Sequence, residues 1–139
     1  MKEFLKFQME FHSNLKYIEL LDEFLQMTLK RYNIPEIDIV EIVIATVEGV
    51  SNAIIHGNKS NPELKVKVVI KFIKKGISIF IQDSGKGFNP NKLENPREAK
   101  NLLKTNGRGV FIIKSYMDKI DYSFNRGTTL RMHKKINLS

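Results

Sequence analysis

The sequence predicts an α+β fold, a two-layer sandwich in which helices pack on one face of a mixed, mostly antiparallel sheet. Segments of alternating apolar and polar residues occur in adjacent pairs joined by turn residues, a pattern typical of β-hairpins. Two long stretches instead place apolar residues at helical spacing. A chain of 139 residues has room for one domain with its own core, so residues 1–139 are predicted to form a single domain.

The first strand and the first helix follow each other directly. Apolar residues alternate with polar ones in the strand, at Leu5, Phe7, Met9 and Phe11. Ser13 and Asn14 are N-cap residues for a helix that runs to about Tyr32. Its predicted core stripe consists of Ile18, Leu21, Phe24 or Leu25, and Leu29.

A second helix is predicted over roughly residues 36–55, because Pro35 suits a helix start and Gly57 a helix stop. Glu48 and Asn52 lie just off its apolar face, where the edge of a helix can border a cleft. The residues predicted to be buried are Ile39, Ile42, Val43, Val47, Val50 and Ile54.

A hairpin follows, with strands over residues 64–73 and 77–83 and a turn at residues 74–76. Residues 84–106 carry glycines, prolines and several asparagines, which predicts a loop with a short helical piece near residues 97–103. A loop this long inside a compact domain is usually functional. The remaining elements are predicted as a helix over residues 108–117, a strand through Ile120, Tyr122 and Phe124, a turn at residues 125–127, and a strand over residues 128–136.

The composition favours an anionic partner. The 23 lysine and arginine residues exceed the 15 acidic residues by 8, and the basic residues cluster around the hairpin and near the C-terminus. The alternative is that these clusters are solvated strand faces and chain ends.

The chain has no cysteine, which excludes disulfides and thiolate chemistry and fits a reducing compartment. The N-terminal residues alternate like a strand and not like a signal peptide, so we expect a cytoplasmic protein.

Glu48 and Asn52 are four residues apart and therefore share one face of the predicted helix. A carboxylate can act as a general base toward a hydroxyl or a water, and a carboxamide oxygen is a neutral ligand for Mg²⁺. The alternative is a polar helix edge that faces solvent.

Asp83 ends a very apolar strand, and Gly85 and Gly87 follow it. A carboxylate at a strand end can accept a hydrogen bond from an exocyclic amine such as that of adenine, and glycines let the backbone approach a base closely. The alternative is an ordinary turn, since aspartate and glycine are both turn formers.

Gly107, Arg108 and Gly109 precede an apolar helix, and the free N–H groups of a helix start can bind phosphate. Arg108 either adds charge to that site or is simply exposed. Thr128 is of interest only if its hydroxyl points back at Asp83, and otherwise belongs to a plain β-turn. Neither a Walker A loop nor a Gly-x-Gly-x-x-Gly fingerprint is present.

Four segments, in order, resemble the motifs of the GHKL ATPases, which include DNA gyrase, histidine kinases, mismatch-repair ATPases and a heat-shock chaperone. Residues 48–58 look like the N box, residues 83–88 like the G1 box, residues 107–113 like the G2 box, and residues 127–129 like the closing strand motif. Residues 115–120 are most similar to the bacterial anti-sigma-factor serine/threonine protein kinases. The resemblance spans nearly the whole chain.

The resemblance implies a Bergerat ATP-binding fold that uses ATP and Mg²⁺. It implies Glu48 as the catalytic base and Asn52 as the Mg²⁺ ligand. Asp83 would bind the adenine amine, and Thr128 would share a water with Asp83 and the base. The other nucleotide-binding residues that it implies are His56, Gly85, Gly87, Gly107, Arg108 and Gly109.

The implied activity is transfer of the γ-phosphate of ATP to a serine or threonine of a small anti-sigma-factor antagonist. Such kinases also sequester a sigma factor and usually form homodimers, with no direct nucleic-acid or membrane partner expected.

One departure concerns the G2 box: some members carry an arginine just before the glycine pair, whereas here that stretch is Lys104-Thr105-Asn106 and Arg108 lies inside the pair.

Two other functions fit parts of the sequence. An ATP-dependent binding switch with little or no phosphotransfer would show the same motifs, and only turnover separates it from a kinase. A basic nucleic-acid-binding module would fit the net charge but would leave the glycine-containing motifs unexplained.

Overall fold

The computed structural model of the chain describes residues 3–84 and 107–138, the side chain of Arg108 excepted. The strands are β1 (Glu3–His12), β2 (Lys65–Ile73), β3 (Gly76–Asp83), β4 (Lys119–Ser123) and β5 (Thr129–Lys135). The helices are α1 (Ile18–Arg31), α2 (Glu36–Asn52) and α3 (Gly107–Tyr116). A short 3-10 turn (Leu15–Tyr17) precedes α1, and a π-helical segment (Ala53–Gly57) extends α2.

The five strands form one sheet in the order β1-β2-β3-β5-β4, and every pairing is antiparallel. The register aligns Phe7 with Ile70, Ile70 with Ile79, and Ile79 with Met132. These aligned apolar residues lie on one face of the sheet, and the helices pack on that face. The predicted two-layer α+β fold is confirmed.

The helical layer is held by the apolar stripes that the sequence predicts. On α1, Leu21, Leu25 and Leu29 are buried, whereas Ile18 and Phe24 are only partly buried. The predicted α2 stripe is buried except for Val47, which is partly exposed. Thr46 is also buried, and its hydroxyl donates to the Ile42 carbonyl at 2.7 Å, so it needs no other partner in the core.

The start of the first helix differs from the prediction in one respect. Asn14 accepts a hydrogen bond from the Lys16 N–H at 3.0 Å and caps the 3-10 turn, after which α1 begins at Ile18. Ser13 was also predicted as an N-cap, but its hydroxyl donates to the Leu64 carbonyl at 2.8 Å. Ser13 therefore joins the end of β1 to the start of β2 and does not cap the helix.

The second helix ends in a π turn and extends farther than predicted. The Asn58 N–H donates to the Ala53 carbonyl at 2.8 Å, an i to i+5 bond that defines a π turn. The helical path therefore continues to Gly57, two residues past the predicted end. Near the C-terminus β4 ends at Ser123, so Phe124 lies outside the strand that was predicted to include it.

Some predictions fall outside the described residues, namely the helical piece near residues 97–103 and the glycines Gly85 and Gly87.

The helix Glu36–Gly57 is long and apolar enough to cross a membrane by length and composition, but half of its most apolar window is buried inside the domain. A core helix of a folded domain shows the same property.

Candidate active site

Glu48 and Asn52 meet the start of α3. Both residues are half-buried near the end of α2, one helical turn apart. A Cβ placed on Gly109 would lie 3.1 Å from Glu48 Oε2 and 3.1 Å from Asn52 Nδ2. Only a residue without a side chain leaves both polar groups in place at this distance. The structure thus brings together the Glu-x-x-x-Asn pair and the second glycine of the Gly-Arg-Gly segment, more than 50 residues apart in the chain.

Asp83 lies at the end of β3 and is 3% exposed. The Thr128 N–H donates to Asp83 Oδ1 at 3.1 Å, and the Asp83 N–H donates to the Thr128 carbonyl at 3.0 Å. The contact that joins Thr128 to the carboxylate is therefore a backbone contact. The water-mediated role of its hydroxyl stays a prediction.

Two glycines enclose the Asp83 carboxylate. A Cβ on Gly57 would overlap the Asp83 side chain, and a Cβ on Gly127 would overlap the Asp83 carbonyl oxygen and lie 3.1 Å from Oδ1. Gly127 also has a φ of +97°, which other residues rarely adopt. The sequence predicted Gly57 only as a helix stop. Its position beside a carboxylate 26 residues later is a tertiary contact that no local pattern shows.

Asn58 is a second residue whose role the sequence did not predict. It is 1% exposed, and its Nδ2 donates to Ser13 Oγ at 2.6 Å and to the Lys65 carbonyl at 3.0 Å. Its Oδ1 accepts the Ser84 N–H at 3.0 Å. The signal in the sequence was its place directly after the His-Gly pair.

The remaining predicted site residues are placed as follows. His56 is half-buried in the π-helical segment, and Gly107 is the first residue of α3. The side chain of Arg108 and both Gly85 and Gly87 lie outside the part of the chain that the structure describes. Their contacts with nucleotide stay predictions.

Residues 11–134 match the family described as the histidine kinase-like ATPase domain. The chain belongs to this family. The predicted GHKL membership is thereby confirmed, and the five-stranded antiparallel sheet with its three described helices is consistent with the GHKL ATPase fold.

Named relatives of this ATPase family resemble the chain over most of its length. The anti-sigma F factor of Bacillus subtilis (strain 168) is 30% identical over 141 aligned positions, which cover 94% of each chain. The anti-sigma F factor of Clostridium perfringens (strain SM101 / Type A) is 34% identical over 106 positions, 72% of this chain and 74% of the relative. The serine-protein kinase RsbW of Staphylococcus epidermidis is 28% identical over 136 positions, 93% of this chain and 86% of the relative.

Three basic residues of the hairpin lie on the face of the sheet opposite to the candidate site. Lys65, Lys67 and Lys71 occupy alternate positions on β2, on the face of the sheet that the helices leave open. Lys65 pairs with Glu10 at 3.5 Å, and the Lys71 ammonium lies 4.9 Å from the centroid of the Phe80 ring. These lysines are thus on the other side of the sheet from Glu48, Asn52 and Gly109.

The C-terminal basic cluster is divided between the two faces of β5. Arg131 pairs with Asp121 on the open face at 3.2 Å. Lys134 points into the helical layer, where its ammonium pairs with Glu41 and lies 3.9 Å from Asp38, both on α2. It also donates to the Tyr116 carbonyl at the end of α3 at 2.6 Å. Lys134 therefore links β5 to α2 and α3, the two helices of the candidate site.

Proposed function

We propose that residues 1–139 form one ATP-dependent protein kinase domain that acts as an anti-sigma factor. In this proposal the protein transfers the γ-phosphate of ATP to a serine or threonine of a small antagonist protein and sequesters a sigma factor. Family membership supports nucleotide binding, and the names of the relatives support both the kinase and the anti-sigma activities. The observation that carries the proposal is the packing of Gly109 against Glu48 and Asn52.

The polar groups beside Gly109 fit a magnesium nucleotide. Asn52 offers a carboxamide oxygen, which is a ligand type that Mg²⁺ accepts alongside phosphate oxygens and waters. The space beside Gly109, which a Cβ would fill, lets the backbone of α3 approach that ligand closely. Mg²⁺, when bound, supplies charge that neutralises the phosphate oxygens.

The adenine end of the site is assigned to Asp83. Its carboxylate is buried and bonded to the Thr128 N–H, so its position is fixed before a base arrives. It accepts a hydrogen bond from the exocyclic amine of adenine, with Gly85, Gly87 and the Thr128 hydroxyl beside the base. His56, which precedes Gly57 in the chain, is assigned to the same end.

The phosphates are assigned to the start of α3. The N–H groups of the first helical turn have no partner within the helix and point toward an anion at the N-terminus. Gly107 and Gly109 keep this approach free of side chains, and Arg108 is the cation closest in sequence.

In the phosphotransfer step, the hydroxyl oxygen of the antagonist forms a bond to the γ-phosphorus while the bond from that phosphorus to the bridging oxygen of ADP breaks. The proton of the hydroxyl passes to the Glu48 carboxylate, which acts as the general base. The products are the phosphorylated antagonist and ADP. In this proposal the protein also binds a sigma factor and forms a homodimer. It acts in the cytoplasm and does not contact DNA directly.

The test is a labelling assay with radioactive ATP, Mg²⁺ and a candidate antagonist from the same genome. Wild type is expected to label the antagonist, and Glu48→Gln is expected to reduce the rate by about a hundredfold or more. Glu36→Gln is the matched control, because it makes the same change at an exposed position of the same helix.

Two results would overturn the kinase assignment. Equal labelling by wild type and Glu48→Gln would show that Glu48 is not the base. No labelling at all, together with capture of the sigma factor only when ATP is present, would replace the kinase by the ATP-dependent binding switch.

A further inference from the structure

The buried Asn58 amide joins three segments that are distant in the sequence. Its Nδ2 reaches Ser13 after β1 and the carbonyl of Lys65 at the start of β2, and its Oδ1 accepts the N–H of Ser84 after β3. A carbonyl can only accept and an N–H can only donate, so these two partners fix the orientation of the amide. Both amide protons and the amide oxygen are used.

The partner at Ser84 is the residue directly after Asp83. Its N–H is held by Asn58, and its hydroxyl donates to the Lys65 carbonyl at 2.6 Å while accepting the Lys65 N–H at 3.0 Å. The peptide that follows Asp83 is therefore held both from the π-helical side and from β2. The chain has little freedom to shift at this point.

Gly57, which precedes Asn58 in the chain, lies against the side chain of Asp83. There is no room for a Cβ between Gly57 and the Asp83 carboxylate. The Gly57-Asn58 dipeptide thus contacts both the side chain of Asp83 and the peptide bond after it. A shift of this dipeptide must move the carboxylate.

We propose that Asn58 is a positioning residue that sets the selectivity of the site for adenine, by holding the Asp83 carboxylate where the exocyclic amine arrives. This inference rests on the proposed nucleotide site. Asn58 contacts no substrate in this scheme and acts through Ser84 and Gly57. Loss of its amide leaves the Ser84 N–H without this acceptor and removes one of the two restraints on the chain after Asp83.

A purely stabilising role makes a different prediction, and Ser13 separates the two. The Ser13 hydroxyl accepts from Asn58 and donates to the Leu64 carbonyl, so it belongs to the same buried network. It does not contact Ser84 or Asp83 in any described hydrogen bond. Ser13→Ala therefore weakens the network and leaves the restraint on Ser84 in place.

The test compares the dissociation constants of ADP and inosine diphosphate, each with Mg²⁺, by isothermal titration calorimetry. Inosine carries a carbonyl where adenine carries the amine. Wild type is expected to prefer ADP by about tenfold to a hundredfold, the range for one hydrogen bond to a charged group. Asp83→Asn is expected to abolish most of this preference, Asn58→Ala to reduce it about tenfold, and Ser13→Ala to leave it unchanged.

Asn58→Asp covers the case in which Asn58→Ala fails to fold. The aspartate keeps an oxygen to accept the Ser84 N–H but loses both amide donors, so it is expected to be less stable than wild type and to retain the ADP preference. Loss of the preference in Asn58→Asp would overturn the inference.

The remaining outcomes distinguish the inference from the proposed function. A wild type that binds both nucleotides equally, or an Asp83→Asn variant that still prefers ADP, contradicts the adenine assignment itself. If wild type discriminates and Asp83→Asn does not, the adenine assignment holds. In that case an undiminished preference in Asn58→Ala, or an equal loss in Ser13→Ala, shows that Asn58 is only structural.

Discussion

At the scale of single residues, Gly109 leaves little free space beside Glu48 and Asn52. A methyl group there would lie 3.1 Å from the polar atoms of Glu48 and Asn52, which must then move by a few tenths of an ångström. Such displacements lower catalysis strongly, so we expect Gly109→Ala to reduce kcat/KM for phosphotransfer by about tenfold or more. The free energy of unfolding should change by less than about 1 kcal/mol. Alanine favours a helix by about that amount over glycine, and this gain offsets the cost of the close contacts of the methyl group.

The measurement pairs steady-state kinetics with urea unfolding of the same preparations. Ser115→Ala is the matched control, because it makes a small change at an exposed position of the same helix, where the hydroxyl donates to the Phe111 carbonyl one turn earlier. An unchanged kcat/KM in Gly109→Ala would contradict the assignment of Glu48 and Asn52 to the reacting groups.

The residues of the candidate site differ in how far the sequence could predict their positions. The position of Asp83 at the end of a strand was predicted, because a polar residue that ends an apolar strand is a local pattern. The contacts of Asn58 were not, because its side-chain partners Ser13 and Ser84 lie 45 and 26 positions away. Periodicity and turn chemistry describe neighbours along the chain, and nothing in them says which distant donor fills a buried acceptor.

At the scale of elements, Lys134 connects β5 with α2 by ion pairs and with α3 by a hydrogen bond. Its ammonium is largely buried and faces Glu41, Asp38 and the Tyr116 carbonyl. We expect Lys134→Met to lower the free energy of unfolding by about 2 kcal/mol, less than for a fully buried pair because both carboxylates are partly exposed. Urea denaturation at neutral pH measures this loss.

A double mutant tests whether the loss comes from the unpaired carboxylate. Lys134→Met with Glu41→Gln should be more stable than Lys134→Met alone, since the neutral amide does not leave a charge without its partner. If the second substitution lowers stability further by its full single-mutant effect, the two residues are not coupled.

His133, on the other face of β5, makes stability depend on pH. Its Nδ1 lies 2.9 Å from the Ser78 hydroxyl on β3. Burial lowers the pKa of His133, and Lys119 and Lys135 act in the same direction, whereas Asp118 raises it. The folded pKa is below the unfolded value of about 6.5, so the contribution of the neutral ring is full above that pH and is lost as the pH falls through the folded pKa.

The corresponding experiment compares unfolding free energies at about pH 7.5 and about pH 5.5, on either side of the unfolded pKa. Wild type should lose more stability on acidification than His133→Gln, which has no ring to protonate. His12→Gln, at an exposed position of β1, should keep the wild-type difference. Equal pH dependence in wild type and His133→Gln would contradict the assignment.

The elements themselves were predicted well where one period continues and less well where it changes. The alternating strands gave the hairpin β2–β3 with an error of one residue at each strand start. The π turn at the end of α2 was missed because its apolar residues keep the spacing of the preceding helix, while the widening depends on the Asn58 N–H reaching Ala53. The sheet order also required tertiary information, since β5 pairs with β3 and places β4 at the edge.

At the scale of the whole molecule, the proposed site draws on α2, the π-helical segment, β3, α3 and the turn before β5. A ligand that contacts all of them binds only the folded chain and must therefore stabilise it. At a concentration one hundred times its dissociation constant, ADP with Mg²⁺ should raise the free energy of unfolding by about 2.7 kcal/mol. Removal of Mg²⁺ with EDTA at the same ADP concentration should reduce this gain, because Asn52 then faces phosphate without the cation.

Charge-matched variants make this measurement specific for the site. Asp83→Asn should lose most of the gain at the wild-type nucleotide concentration, since its amide presents a weaker acceptor to the adenine amine. Asp121→Asn makes the same chemical change on the open face of the sheet, where the carboxylate pairs with Arg131, and should keep the full gain. Equal gains in both variants would mean that the nucleotide binds this fold without using the carboxylate at the end of β3, and no gain in wild type would remove the nucleotide site altogether.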